Sequence, residues 1–187
     1  FSDFRETLGH ALRLVFFITT PATVGMILLR VPIIEVFFQR GAFDHRTTLM
    51  TAQALLFYSL GLWAFSASRV MLSAFYAFQD TKTPVKVATI TMIANALLSL
   101  LLMGPLRHGG LALSLSLSST LQLLLLIIIL SRRGDLLDLK PMISSAARSL
   151  AASAVMGFVL YDLNGRWLSP GEPGSFWSHA LTLAGVI

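Results

Sequence analysis

Long apolar runs separated by short polar strips constrain this chain more than any other feature. A run of about 18 or more uncharged residues matches the thickness of a hydrocarbon core. Within that core no water can satisfy a backbone N–H or C=O, so each run must close its own hydrogen bonds as a helix. The runs fall at about Leu8–Leu29, His45–Phe78, Val85–Met103, Leu111–Leu130 and Pro141–Tyr161, with a shorter one at Phe176–Ile187. Composition agrees: 12% of residues are charged, about half the share usual in a soluble domain, and the mean hydropathy is +0.75. The fold class expected is therefore all-α, a polytopic transmembrane helix bundle of about five full spans plus a truncated sixth.

Several functions are excluded early. There is no cysteine, so disulfides and thiolate metal sites are absent. The net charge of +5 is spread over the ends of apolar runs, a placement suited to anionic head groups and topology and not to nucleic acid. His10, His45, His108 and His179 are scattered without metal-ligand spacing. No Gly-rich phosphate loop, carboxylate pair or Ser/His/Asp set is visible, which argues against an enzyme. The start at Phe1 and the stop inside an apolar run lead us to expect part of a longer protein. No small-residue cleavage site follows the first run, so a signal peptide is not expected.

Between the runs, Arg30–Phe43 is too short and too charged to span and reads as an interfacial helix ending at Gly41, with Asp44 as N-cap of the next span. The strip Gln79-Asp80-Thr81-Lys82-Thr83-Pro84 ends the second span, and Thr83 before Pro84 reads as the N-cap of the third. A tight turn is expected over Leu106–Gly110, an aqueous strip over Ser131–Lys140 and a turn-rich loop over Asp162–Ser178. Alternate sides collect eight basic residues (Arg5, Arg13, Lys82, Lys86, Arg132, Arg133, Lys140, Arg148) and five (Arg30, Arg40, Arg46, Arg107, Arg166). The richer side is expected in the cytoplasm, and with it the N-terminal end.

Arg69 is the most informative polar residue. Eleven positions before Asp80, it lies about 16 Å along a helix from that strip, near mid-depth. A guanidinium there costs at least about 2.5 kcal/mol and usually faces a bundle interior or a hydrated cavity; snorkelling or pairing with a carboxylate is the alternative. In a cavity its planar fork would suit phosphate oxygens. Asn95 and Ser99, four apart, share a face of the third span, and Ser114, Ser118 and Gln122 form a similar row on the fourth. They could hold a cation or polar head group, or simply join helices. Ser149, Ser153 and Gly157 form a small-residue face on the fifth span. Pro21 and Gly25 mark a candidate bend in the first.

Phe75–Val85, FYAFQDTKTPV, resembles the loop signature of the MurJ/MviN family, the lipid II flippases of bacterial cell-wall synthesis. TPATVGM (Thr20–Met26), FQRGAFD (Phe38–Asp44) and GPLRHGGLALS (Gly104–Ser114) fit the same family in the same order. The resemblance implies a fourteen-helix, two-lobed transporter of the multidrug/oligosaccharidyl-lipid/polysaccharide exporter superfamily. Residues 1–131 would correspond to spans nine to twelve of the C-terminal lobe, and 132–187 to the last pair, the fourteenth truncated. The implied activity is translocation of a polyprenyl-diphosphate-linked disaccharide-peptide from the inner to the outer leaflet of the bacterial inner membrane by alternating access, with no cofactor. Lipid II and membrane lipids are the implied partners.

On that resemblance, Arg69 matches a usually basic position, while Gln79, Asp80, Lys82, Thr83 and Pro84 match the signature loop; Phe78 stands where arginine is common. Asn95 matches a family asparagine. The carboxylate that some members carry four residues later, where sodium is proposed, is Ser99 here, and Leu115 replaces a frequent hydroxyl, so no metal is expected. The rivals are an exporter of another lipid-linked sugar, a drug/cation antiporter, an enzyme acting on polyprenyl phosphates, and a scaffold binding cell-wall synthesis proteins.

Overall fold

A computed structural model describes residues 2–38, 44–106, 108–133 and 139–167, all helical apart from short connections. The elements are α1 (Ser2–Leu28), α2 (Arg30–Phe38), α3 (His45–Ala77), α4 (Lys82–Leu106), α5 (His108–Ser131) and α6 (Leu139–Trp167). Four of them, α1, α3, α4 and α5, are long and apolar enough to cross a membrane. The described apolar part of α6, Ser144–Leu160, is shorter, although the helix itself has 29 residues. The run Phe176–Ile187 lies outside the described residues, as do Gly41 and residues 134–138 of the strip 131–140.

α3 is the central element, packed against α1, α2 and α5, while α4 lies along α5 and α6 along α1. Its centre joins Ala64, Ala67, Met71 and Phe75 of α3 to Leu8 and Leu12 of α1 and to Leu123, Leu126 and Leu130 of α5. Elsewhere apolar side chains point outward, among them Met92, Leu100 and Leu101 of α4 and Phe158 of α6. In a bilayer such faces are at home in lipid. Helix association then relies on close packing and hydrogen bonds, which favours small residues at the contacts.

The α3–α5 crossing is built that way. A Cβ on Gly61 would stand 2.6 Å from Ser116 Oγ and 2.7 Å from Ser116 Cα, so only glycine allows this approach. Ser116 Oγ then donates to the Phe57 carbonyl at 2.5 Å. On the α1–α6 contact Ser149 and Ser153 are buried, and a Cβ on Gly157 would meet Val24 at 3.0 Å. The small-residue face read from the sequence is thus a packing surface.

Helix ends differ from expectation where turn residues were read too strongly. α4 continues through Gly104 and Pro105 to Leu106, and α5 begins at His108, so the expected turn over Leu106–Gly110 is largely helix. Pro105 forgoes the bond its N–H would have donated to the Leu101 carbonyl, and Gly110 lets α5 press against the backbone of α4, where a Cβ would collide with the Leu102 carbonyl. α6 extends to Trp167, absorbing the first part of the expected loop. α1 runs unbroken through Pro21, and the break falls at Leu29, ahead of α2.

α2 is short, as expected, and buries Pro32 and Ile34. Glu35 reaches His45 at 3.9 Å; burial pushes its carboxyl up, and His45 acts in the opposite sense. Asp44 caps α3 as expected, accepting from the Thr47 N–H at 2.9 Å. The Thr47 hydroxyl, then its N–H, hold that carboxyl below its ordinary value.

Candidate functional site

The signature strip folds into a junction of three helix ends. α3 closes with the N–H of Asp80 donating to the Phe75 carbonyl and that of Gln79 to the Tyr76 carbonyl, the paired bonds of a Schellman motif. Gln79 occupies the left-handed position with φ 55°, where a side chain is strained. Asp80 Oδ1 then accepts from the Thr83 N–H at 3.0 Å. Asp80 is therefore the cap of α4, not Thr83 as expected. The helical run begins at Lys82, and Pro84, lacking an N–H, cannot close a bond back to Asp80.

Arg133, at the end of α5, completes the junction. Its guanidinium donates to Asp80 Oδ2 and to Thr83 Oγ1 at 3.0 Å, and lies 5.4 Å from the centroid of the Phe75 ring. The Thr83 hydroxyl and N–H, followed by Arg133, hold the Asp80 carboxyl far below its ordinary value. Phe78 packs its ring 4.7 Å from that of Phe4 on α1. Lys82 is exposed at the surface of the junction. Sequence reasoning assigned Arg133 to an aqueous strip, and no local pattern could tie it to a residue 53 positions away.

Arg69 sits two turns inside α3 from this junction, on an exposed part of the helix. Its guanidinium lies 4.8 Å from the centroid of the Phe65 ring, one turn earlier. Among the described residues no carboxylate pairs with it. Beyond Phe65, on the same side, a groove of about 210 Å³ opens between α3 and α5, lined by Tyr58, Gly61, Leu62, Phe65, Leu115, Ser116 and Ser119. The sequence signal for this groove was present but unused: Tyr58, Phe65 and Arg69 follow one another at seven and four residues, a single helical face.

Asn95 and Ser99 lie where α4 meets α5. Ser99 Oγ and Ser114 Oγ are 2.7 Å apart, and Asn95 Oδ1 is buried without a hydrogen-bond partner. Neither α4 nor α5 contains a carboxylate, and Leu115 turns to the groove instead. The two hydroxyls satisfy each other across the α4–α5 contact, while the Asn95 oxygen beside them stays unpaired. The junction, Arg69 and this contact are separate features; the structure does not gather them into one site. Around Pro21, Thr19 and Thr20 donate to the Val15 and Phe16 carbonyls at 2.8 and 2.6 Å, while Gly25 faces Met156.

Long apolar helices, glycine- and serine-mediated crossings and a guanidinium placed within one of the spans define a polytopic helical membrane protein. The family profile described as "Lipid II flippase MurJ" matches residues 2–182. A "Probable lipid II flippase MurJ" of Rhizobium tropici is 36% identical over 181 residues, covering 96% of this chain and 33% of the relative. That of Vibrio cholerae serotype O1 is 34% identical, covering 98% and 35%. A solved structure, "Lipid II flippase MurJ, inward closed conformation", superposes with a TM-score of 0.79 at 29% identity, covering 99% of this chain and 37% of that one. The chain belongs to the MurJ family, whose named role is transport of a lipid and not enzymatic conversion. It spans about a third of the length of the curated relatives it matches.

Proposed function

We propose that this chain is the C-terminal part of a lipid II flippase that carries a polyprenyl-diphosphate-linked peptidoglycan precursor from the inner to the outer leaflet of the bacterial inner membrane. Residues 1–131 belong to the C-terminal lobe and 132–187 to the last helix pair. The excess of basic residues at the α3–α4 junction and the other ends on that side supports a cytoplasmic N-terminal end.

The observation that carries the reading is Arg69, an exposed guanidinium without a carboxylate partner among the described residues, inside a 33-residue apolar helix. Moving a diphosphate through hydrocarbon uncompensated is prohibitive. An arginine in a hydrated vestibule offsets that cost by charge-assisted hydrogen bonds to phosphate. Transport follows by alternating access, with the two lobes rocking about the site. Pro21 and Gly25 serve as the bend: Pro21 forgoes one ladder bond, and the back-bonding of Thr19 and Thr20 further weakens the helix there.

The test is Arg69→Ala in the intact protein, with growth measured in cells depleted of their own flippase. Reduced growth is expected, with partial recovery in Arg69→Lys. Full rescue by the alanine variant at normal expression removes Arg69 from the mechanism. Recovery of the labelled precursor chemically unchanged separates a flippase from an enzyme acting on polyprenyl phosphates.

A further inference from the structure

The groove beside Arg69 has more chemistry than lipid packing requires. Two aromatic rings, Tyr58 and Phe65, stand on one face of α3, each 47% exposed. Seven residues separate them, about 10.5 Å along the helix axis, a length comparable to two linked pyranose rings. Hydroxyl oxygens lie along the α5 wall. Ser116 and Ser119 spend their protons on the Phe57 and Leu115 carbonyls at 2.5 and 2.8 Å, which leaves oxygen lone pairs as acceptors. The Gly61–Ser116 contact clamps the two walls together, so the groove is preformed. An apolar cleft with a few placed polar groups is the usual form of a small-molecule site.

We propose that this groove is a saccharide platform, seating the sugar units attached to the diphosphate that Arg69 holds. The inference rests on the role given to Arg69 above. Sugars present C–H faces that stack on aromatic rings, and hydroxyls that donate to acceptors such as Ser116 and Ser119. Phe65 joins the two halves of the ligand, since the guanidinium lies over its ring at 4.8 Å. The phosphate end therefore falls at Arg69, the first sugar at Phe65 and the second at Tyr58. Both serine hydroxyls are already satisfied as donors, so the choice of sugar over an acyl chain rests on the spacing of the two exposed rings and on the cation at the end of the groove, from which an acyl chain would gain nothing.

Native mass spectrometry of the purified full-length protein, titrated with a polyprenyl diphosphate and with the same lipid bearing the disaccharide, tests this. The expected result is about tenfold tighter binding of the glycosylated lipid, with about threefold lost in Tyr58→Leu and about threefold in Phe65→Leu. Binding of the bare diphosphate stays unchanged in Tyr58→Leu, and Phe65→Tyr retains the preference for sugar. Loss of affinity for both lipids alike in Tyr58→Leu, or for neither, overturns the platform; an acyl-chain occupant gives the second pattern. Arg69→Ala is expected to weaken both lipids. If it weakens neither, the phosphate reading fails, whatever the leucine variants do.

Discussion

Gly61→Ala offers the sharpest test of how this bundle is held together. The added methyl would lie 2.6 Å from Ser116 Oγ and 2.7 Å from both Cα and Cβ of Ser116. Ordinary carbon contacts need about 3.5 Å or more, so the shortfall is about 1 Å. Because one of the obstructing atoms is a backbone Cα, no rotamer change relieves it, and α3 and α5 must separate. The Ser116–Phe57 bond, 2.5 Å in the native packing, then stretches beyond hydrogen-bonding range. Overpacking of this kind costs about 1–3 kcal/mol, and a lost interhelical bond about 0.6 kcal/mol more. For a chain of this size that corresponds to a fall of about 5–12 °C in the melting midpoint.

The assay is thermal unfolding in detergent micelles, followed by the loss of monodisperse protein. Two controls sharpen it. Gly9→Ala, with nothing within 4 Å of its Cβ, is expected to hold or raise the midpoint through helix propensity. Ser116→Gly in the Gly61→Ala background removes Oγ and Cβ but leaves Cα, so only partial recovery is expected. A Gly61→Ala protein melting within about 1 °C of wild type, or complete rescue by the second change, would refute the backbone-clash argument.

Other outcomes follow from the helix ends. Gln79→Gly relieves the left-handed strain at φ 55° and is expected to stabilise by about 1 kcal/mol, read in the same melt. Asp80→Asn keeps an acceptor for the cap of α4 but loses the charge that pairs with Arg133, and is expected to lower the midpoint by about 2 °C. Since the folded state depresses the Asp80 carboxyl, its contribution is complete above about pH 4 and is lost as pH falls further. A pH titration of stability should therefore be flatter below about pH 4 in the asparagine variant. Gly157→Ala meets side chains only, Val24 at 3.0 Å and Leu28 at 3.4 Å, and is expected to cost about 1 kcal/mol, less than a clash with backbone. Gly110→Ala collides with the Leu102 backbone and should cost about 2 kcal/mol or more in the same unfolding assay.

Spans were readable in the sequence because the bilayer imposes length and apolarity on each segment separately. The cap at Asp44 was readable for the same reason, being a local relation with Thr47. Turn residues were less reliable: Pro105 ends no helix until Leu106, since packing against Gly110 holds the last turn in place. The Asp80 cap was displaced onto Thr83 because a proline at the start of a helix fits several registers. What could not be read were relations between distant segments. Nothing local joins Arg133 to Asp80, Gly61 to Ser116, or Ser99 to Ser114. Arg69 was legible as an anomaly in an apolar run, whereas the groove beside it required knowing which face of α5 meets α3.

The pairing of α1 with α6 also bears on the order in which the protein is made. Val24, on α1, waits for Gly157, its neighbour across the contact. At about 5–20 residues per second that wait lasts roughly 7–27 seconds of synthesis. Throughout it α1 sits in the membrane without α6 on that flank. A ribosome stalled before α6 would leave the small-residue contact of α1 unfilled and open to quality control.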